Sequence, residues 1–143
     1  MSVEEHKALV RYITEEGVNK HNPDKWDEVL APNYVRHCEA MPPELQEIHG
    51  VEIMKQFLRE HFATFPDWHE KIELMLAEGD KVAYVTTGTG TQTGKMGNFP
   101  PSGKKLKVTT LIIHRIENGK IAETWLSWDN LDMLKQLGHL HPP

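Results

Sequence analysis

The chain has 143 residues, 38% hydrophobic and 26% charged, which is one domain's length (1–143) and bounds a single core. A net charge of −5, with Lys104, Lys105 and Lys107 as its basic cluster, works against nucleic acid as a partner. The lone Cys38 excludes an intrachain disulfide, and no apolar run reaches membrane-spanning length.

Met1–Glu5 has neither the basic nor the apolar part of a secretory leader, so a cytoplasmic protein is expected. Ser2 with Glu5 three residues on is a capping-box pattern, in which each side chain serves a free backbone N–H. It opens a helix whose buried stripe is Val3, Val10, Ile13 and Gly17, widened by Leu9 and Tyr12. Asn22-Pro23 predicts a second helix, with Trp26, Val29 and Leu30 inward and Pro32 at its end. Tyr34 to His37 reads as a short extended piece, and residues 41–49 as a loop. A third helix is predicted over Val51–Thr64, with Ile53, Met54, Phe57, Leu58, His61 and Phe62 buried and Phe65-Pro66-Asp67 stopping it.

At Trp68 the period falls to two, and Trp68, Ile72, Leu74 and Leu76 are expected on one face of a strand. Glu78-Gly79-Asp80 turns the chain into a strand from Lys81 to about Thr93, where Gly88 and Gly90 signal a bend or a close backbone approach. A glycine- and proline-rich loop, 94–103, offers Met96 and Phe99 as a cover for a cavity. The next strand, from Lys105 to Ile116, sets Leu106, Val108, Thr110, Ile112, His114 and Ile116 on one face. Asn118-Gly119 is a hairpin signal, Ile121 to Trp128 returns, and Leu131, Met133, Leu134 and Leu137 form a last short helix. Helices first and antiparallel strands after make an α+β fold, in which helices on the concave side of a curved sheet leave a cavity.

His114 is the leading candidate for chemistry, because alternation points it inward. A two-residue hairpin loop pairs residue 117 with 120 and so sets His114 opposite Glu123. Such a pair is either structural or the means of orienting a base and raising its pKa. Asp129, beside Trp125 and Trp128, is either the N-cap of the last helix or an acid in an apolar pocket. The same register puts it opposite Val108, far along the strand from His114.

Arg36 and His37 alternate, so one of them faces inward, and His37 is a candidate rim contact for a ligand. His37-Cys38 is a weak metal signal, since adjacent ligands lack spaced partners. His139 and His141 read as an exposed tail. Tyr84, Thr110 and Ser127 are candidate hydrogen-bond donors to an enolate oxygen, and Phe57, Ile112, Trp125 and Leu126 candidate apolar walls. No serine-nucleophile elbow, cysteine–histidine pattern or phosphate loop is present.

Several segments along nearly the whole chain carry a resemblance. They are Trp26-Asp27-Glu28-Val29-Leu30-Ala31-Pro32-Asn33-Tyr34-Val35-Arg36-His37, Phe65-Pro66-Asp67-Trp68, Ala77-Glu78-Gly79-Asp80-Lys81-Val82, Gly97-Asn98-Phe99-Pro100-Pro101-Ser102-Gly103-Lys104 and His114-Arg115-Ile116-Glu117-Asn118-Gly119-Lys120-Ile121. Trp128-Asp129 and Leu134-Lys135-Gln136-Leu137-Gly138 complete the set. In order and spacing they resemble the SnoaL-like polyketide cyclases (ester cyclases) of the nuclear transport factor 2-like superfamily, which also holds ketosteroid isomerase. The resemblance implies an α+β cone with a deep apolar pocket, no metal or cofactor, and a homodimer or higher assembly. It also implies an acid/base aspartate on the final strand with a helping histidine on the strand before it. Counted back without gaps from Gln136-Leu137-Gly138, those positions are Leu126 and Ile112, both apolar. His114, Glu123 and Asp129 are the nearest substitutes. Two functions share this frame: acid/base chemistry next to a carbonyl of an apolar small molecule, and non-catalytic carriage of such a ligand.

Overall fold

The computed structural model describes residues 1–140. Helix α1 (Val3–Tyr12) begins on the expected box: Glu5 N–H donates to Ser2 Oγ, and Ser2 N–H to Glu5 Oε1, each at 3.1 Å. It runs on through a π-helical stretch, Ile13–Val18, where Asn19 N–H reaches back to Thr14 O. Val10, Ile13 and Gly17 are buried as expected, but Val3 and Tyr12 are exposed; His6 and Thr14 take the remaining inward positions.

Asn22 caps a 3-10 turn, Pro23–Lys25, that leads into α2 (Trp26–Val29). The chain extends at Leu30, earlier than Pro32 suggested, and strand β1 covers Leu30–His37. Proline is tolerated there because the ladder to the neighbouring strand is interrupted between Leu30 and Val35. The expected 41–49 loop contains a three-residue strand, β2 (Glu47–His49). Helix α3 spans Val51–Thr64 as predicted, with Met54 and Leu58 buried and Ile53 exposed.

Strands β3 (His69–Glu78), β4 (Lys81–Thr91), β5 (Lys105–Glu117) and β6 (Lys120–Trp128) complete a six-stranded curved sheet ordered β2-β1-β6-β5-β4-β3. Every pairing is antiparallel except β1 with β6, which is parallel. Helix α1 packs on β3 and β4, and α3 on β1 and β2, which encloses one face of the sheet. Asn118 and Gly119 both take positive φ, 51° and 75°, as the tight hairpin requires.

Two irregularities overturn expectations drawn from strict alternation. In β3 the register shifts between Ile72 and Leu74, and one extra residue moves all later side chains to the opposite face. Met75 and Ala77 therefore pack against the core, while Leu74 and Leu76 are 54% and 67% exposed. In the β5–β6 hairpin Glu117 pairs with Lys120 and Ile116 with Ile121, but Arg115 then pairs with Glu123. His114 consequently lies opposite Thr124, not Glu123.

The main core joins Val10, Ile13, Trp26 and Val29 to Tyr34, Val82, Ile112 and Ile121. A second cluster, Phe65, Trp68, Leu106 and Leu137, sits at the end closed by helix α4 (Asn130–Gln136). Gly88 and Gly90 exist for Trp68: a Cβ at either would lie 2.5 Å and 2.9 Å from its indole ring. The signal for a close backbone approach was therefore a packing requirement.

Candidate active site

Between the inner face of the sheet and the helices lies a cavity of about 310 Å³, walled by Trp26, Met54, Phe57, Ile112, Leu126 and Trp128 among others. That is at the small end of ligand pockets, which run from about 300 to 1,000 Å³. Its walls are mostly apolar, so the polar groups in them stand out by their chemistry.

His114 faces this interior, as alternation predicts, and is 8% exposed. It belongs to a chain of side chains. Tyr34 Oη donates to Thr124 Oγ1 at 2.8 Å, Thr124 Oγ1 meets His114 Nδ1 at 2.7 Å, and His114 Nε2 meets Tyr84 Oη at 2.8 Å. With no carboxylate partner among the described residues, burial dominates, reinforced by the positive charge of Arg36, and the imidazole pKa falls to about 3. The expected rise is thus reversed: His114 is a neutral hydrogen-bonding group. Burial pushes Tyr34 up to about 12, and Tyr84 well above its ordinary value.

Of Arg36 and His37, the strand turns Arg36 inward. Its guanidinium stacks 4.6 Å from the Phe57 ring centroid, and Nη1 is buried without a hydrogen-bond partner among the described residues. Burial lowers its pKa, with Tyr34, Cys38 and Glu70 opposing the shift.

Two carboxylates line the cavity, the exposed Glu60 and the half-buried Glu70. Glu70 accepts from Trp68 Nε1 at 3.1 Å, and its backbone is clamped by Asn19 through Asn19 Nδ2 to Glu70 O (2.9 Å) and Glu70 N to Asn19 Oδ1 (2.8 Å). Burial raises its pKa, against the lowering influence of the Trp68 bond and of Arg36. His61 on α3 also lines the cavity, edge-on to Trp68 with ring centroids 4.5 Å apart. Burial, then Arg36 and His21, bring it down to about 4. Glu70 and His61 are only half-buried by surface area, and Glu70 also borders an open groove lined by Arg11, Glu15 and His69.

Neither Glu70 nor Arg36 was singled out for chemistry from sequence, although the pattern held a signal for each. Residues 68, 70 and 72 share one face, so a carboxylate stood between two inward side chains. Arg36 likewise sits two residues from buried Tyr34.

Other expected site residues divide between two faces. Phe57, Tyr84, Thr110, Ile112 and Leu126 line the cavity with His114. Glu123 and Trp125 alternate with inward Thr124 and Leu126 and lie on the outer face, as does the exposed Ser127. Glu123 accepts from His37 Nε2 at 2.7 Å and from Arg115 Nε at 3.3 Å, and its pKa is lowered first by the His37 bond. His37 stacks on Trp125, which makes that pair an outer-face contact instead of a rim of the cavity.

Asp129 is exposed and caps α4, accepting from Asp132 N–H at 3.0 Å; Trp128 fills the cavity wall in its place. His139 is tied down, with Nε2 2.6 Å from Gln92 Oε1 and its ring stacked on Phe99, so the exposed-tail expectation fails for it. His141 lies outside the described residues. Met96 of the 94–103 loop lines the cavity, whereas Phe99 turns to His139.

The SnoaL-like polyketide cyclase family model matches residues 8–137. The chain belongs to the SnoaL-like polyketide cyclases. Among solved structures, TsrD from Streptomyces laurentii is 27% identical over 98% of this chain and 99% of its own, with a TM-score of 0.84. IdmH from Streptomyces antibioticus, described as a candidate polyketide cyclase, is 27% identical over 92% and 97%, with a TM-score of 0.77. A protein of Acidithiobacillus ferrooxidans, also described as a candidate polyketide cyclase, is 26% identical over 99% and 100%, with a TM-score of 0.83. No functionally curated protein matches the chain.

In this SnoaL-like chain the two positions that the resemblance assigns to the acid/base pair, Ile112 and Leu126, are direct cross-strand partners on the cavity wall. Apolar side chains thus occupy the sheet wall there; Arg36 comes from β1, Glu70 from β3 and His61 from α3, while β4 and β5 add Tyr84 and His114. Among the described residues, no helix is long and apolar enough to cross a membrane.

Proposed function

We propose that this SnoaL-like protein is a cofactor-independent, cytoplasmic enzyme. It removes a proton next to the carbonyl of a small apolar molecule held in the cavity, as a step of cyclisation or isomerisation. The observation that carries the reading is Glu70, a carboxylate in the wall of an apolar hollow with its pKa raised by burial. A carboxylate so desolvated is a stronger base than one in water, and Asn19 and Trp68 fix where it points.

Tyr84 is the matching donor to the enolate oxygen. When Thr124 gives its hydroxyl hydrogen to His114 Nδ1, the ring proton sits on Nε2 and is donated to Tyr84 Oη. Tyr84 then keeps its own hydrogen for the ligand. His114 orients this donor and does not move the substrate proton. Glu70 and Tyr84 both line the cavity, which supports their working on one ligand. The exposed outer-face residues Leu74, Leu76, Leu111 and Ile113 support a homodimer or higher assembly.

The test is hydrogen–deuterium exchange at the α-carbon of a bicyclic ketone such as 1-tetralone, followed by NMR in D₂O. Wild-type protein should accelerate exchange, with a rate that climbs as pH rises through a midpoint above 4.5, the ordinary carboxylate value. Glu70→Gln should abolish the acceleration. The apolar Ile112–Leu126 pair favours the rival reading, a carrier, which predicts ligand binding with no exchange.

A further inference from the structure

Arg36 takes no part in the proton transfer proposed above, yet it is the most expensive group in the cavity wall. A guanidinium stays charged at any pH the protein meets, and an unpaired buried charge carries a large desolvation penalty. Arg36 is 4% exposed, makes no salt bridge among the described residues, and leaves Nη1 without a partner. Phe57 covers one flat face of the group, so a ligand meets its donor edge, the fork that suits a carboxylate. Glu70 lies within Coulombic reach but makes no contact, and so leaves that fork free.

We propose that the cavity takes a small apolar acid whose carboxylate pairs with Arg36. Among the described residues, Arg36 is the only arginine or lysine that lines the cavity, beside the carboxyl groups of Glu60 and Glu70. One guanidinium offers its donor fork to one carboxylate, and with two carboxyl groups also in the wall the cavity does not suit a phosphate dianion. The volume of about 310 Å³ limits the rest of the ligand to a compact, largely hydrocarbon body. This inference rests on the cavity being the substrate site and is independent of whether Glu70 is the base.

The probes are 1-naphthaleneacetate and its methyl ester, compared at neutral pH by calorimetry and by quenching of Trp26, Trp68 and Trp128, which line the cavity. A charge-assisted bidentate pair predicts that wild-type protein binds the acid about tenfold or more tightly than the ester. Arg36→Met should erase that preference while leaving ester affinity within about twofold, and Arg36→Lys should keep part of it. In the absence of ligand Arg36→Met should melt no lower than wild type, because the substitution removes an uncompensated charge. Should Arg36→Met fail to fold, the wild-type acid-to-ester ratio and Arg36→Lys decide. Equal binding of acid and ester, binding of neither, or an Arg36→Met variant that still prefers the acid overturns the inference. Ketone exchange that survives in Glu70→Gln would instead sink the acid/base assignment and leave this one standing.

Discussion

The two faces of the sheet carry similar side chains with opposite fates. Outside, Glu123 accepts from both His37 and Arg115, and its carboxylate is held below the usual range. Inside, Glu70 has one neutral donor and a guanidinium beyond contact, and its carboxyl is pushed up; His114 and His61 are pushed down. Water and direct ion pairs stabilise charge on the outer face, whereas the inner face withholds both. Residue type therefore says little about chemistry in this fold, and the parity of a residue along its strand says much more.

The sharpest way to break that comparison is to remove one carboxylate from each face. Glu70→Gln should lower the ketone exchange rate by about 10²–10⁴-fold, while Glu123→Gln should change it by less than about threefold. A reversed order, measured by NMR, would move the chemistry to the outer face.

The inner face also titrates in a defined direction. His61 and His114 have pKa values of about 4 and about 3 in the folded protein, against 6.5 when unfolded. In that window the unfolded chain binds more protons, so their contribution to stability is intact above pH 6.5 and is lost as pH falls toward 4 and 3. Urea midpoints taken from pH 7 to pH 4 should fall, and His114→Asn should flatten the slope. A midpoint that rises on acidification would contradict the burial of both rings.

Gly88→Ala, which drives a methyl into the Trp68 ring, should destabilise by about 1–3 kcal/mol in chemical denaturation and weaken ligand binding. Ser127→Ala on the exposed face should stay within about 0.5 kcal/mol. Asp129→Ala should cost about 1 kcal/mol of stability through the α4 cap and leave the exchange rate within about threefold.

Local patterns settled a good deal about this protein from the sequence alone. The Ser2–Glu5 box, the Val51–Thr64 helix, the Asn118-Gly119 turn and the inward face of β5 from Leu106 to Ile116 each depend on neighbours a few residues away. Such neighbours are visible in one dimension. The motif order along the chain was likewise enough to indicate the family.

Tertiary structure decided what those signals cannot carry. The extra residue in β3 put Leu74 and Leu76 outside, and the shift beyond Ile116 parted His114 from Glu123. A bulge is one unpaired residue with no composition of its own, so every parity count made across it is inverted. The parallel pairing of β1 with β6 joins residues some ninety positions apart and brings Tyr34 to Thr124 beneath His114. Burial of Arg36 and Glu70 depends on which surfaces meet over them, and that contact exists only once helices and sheet have packed together.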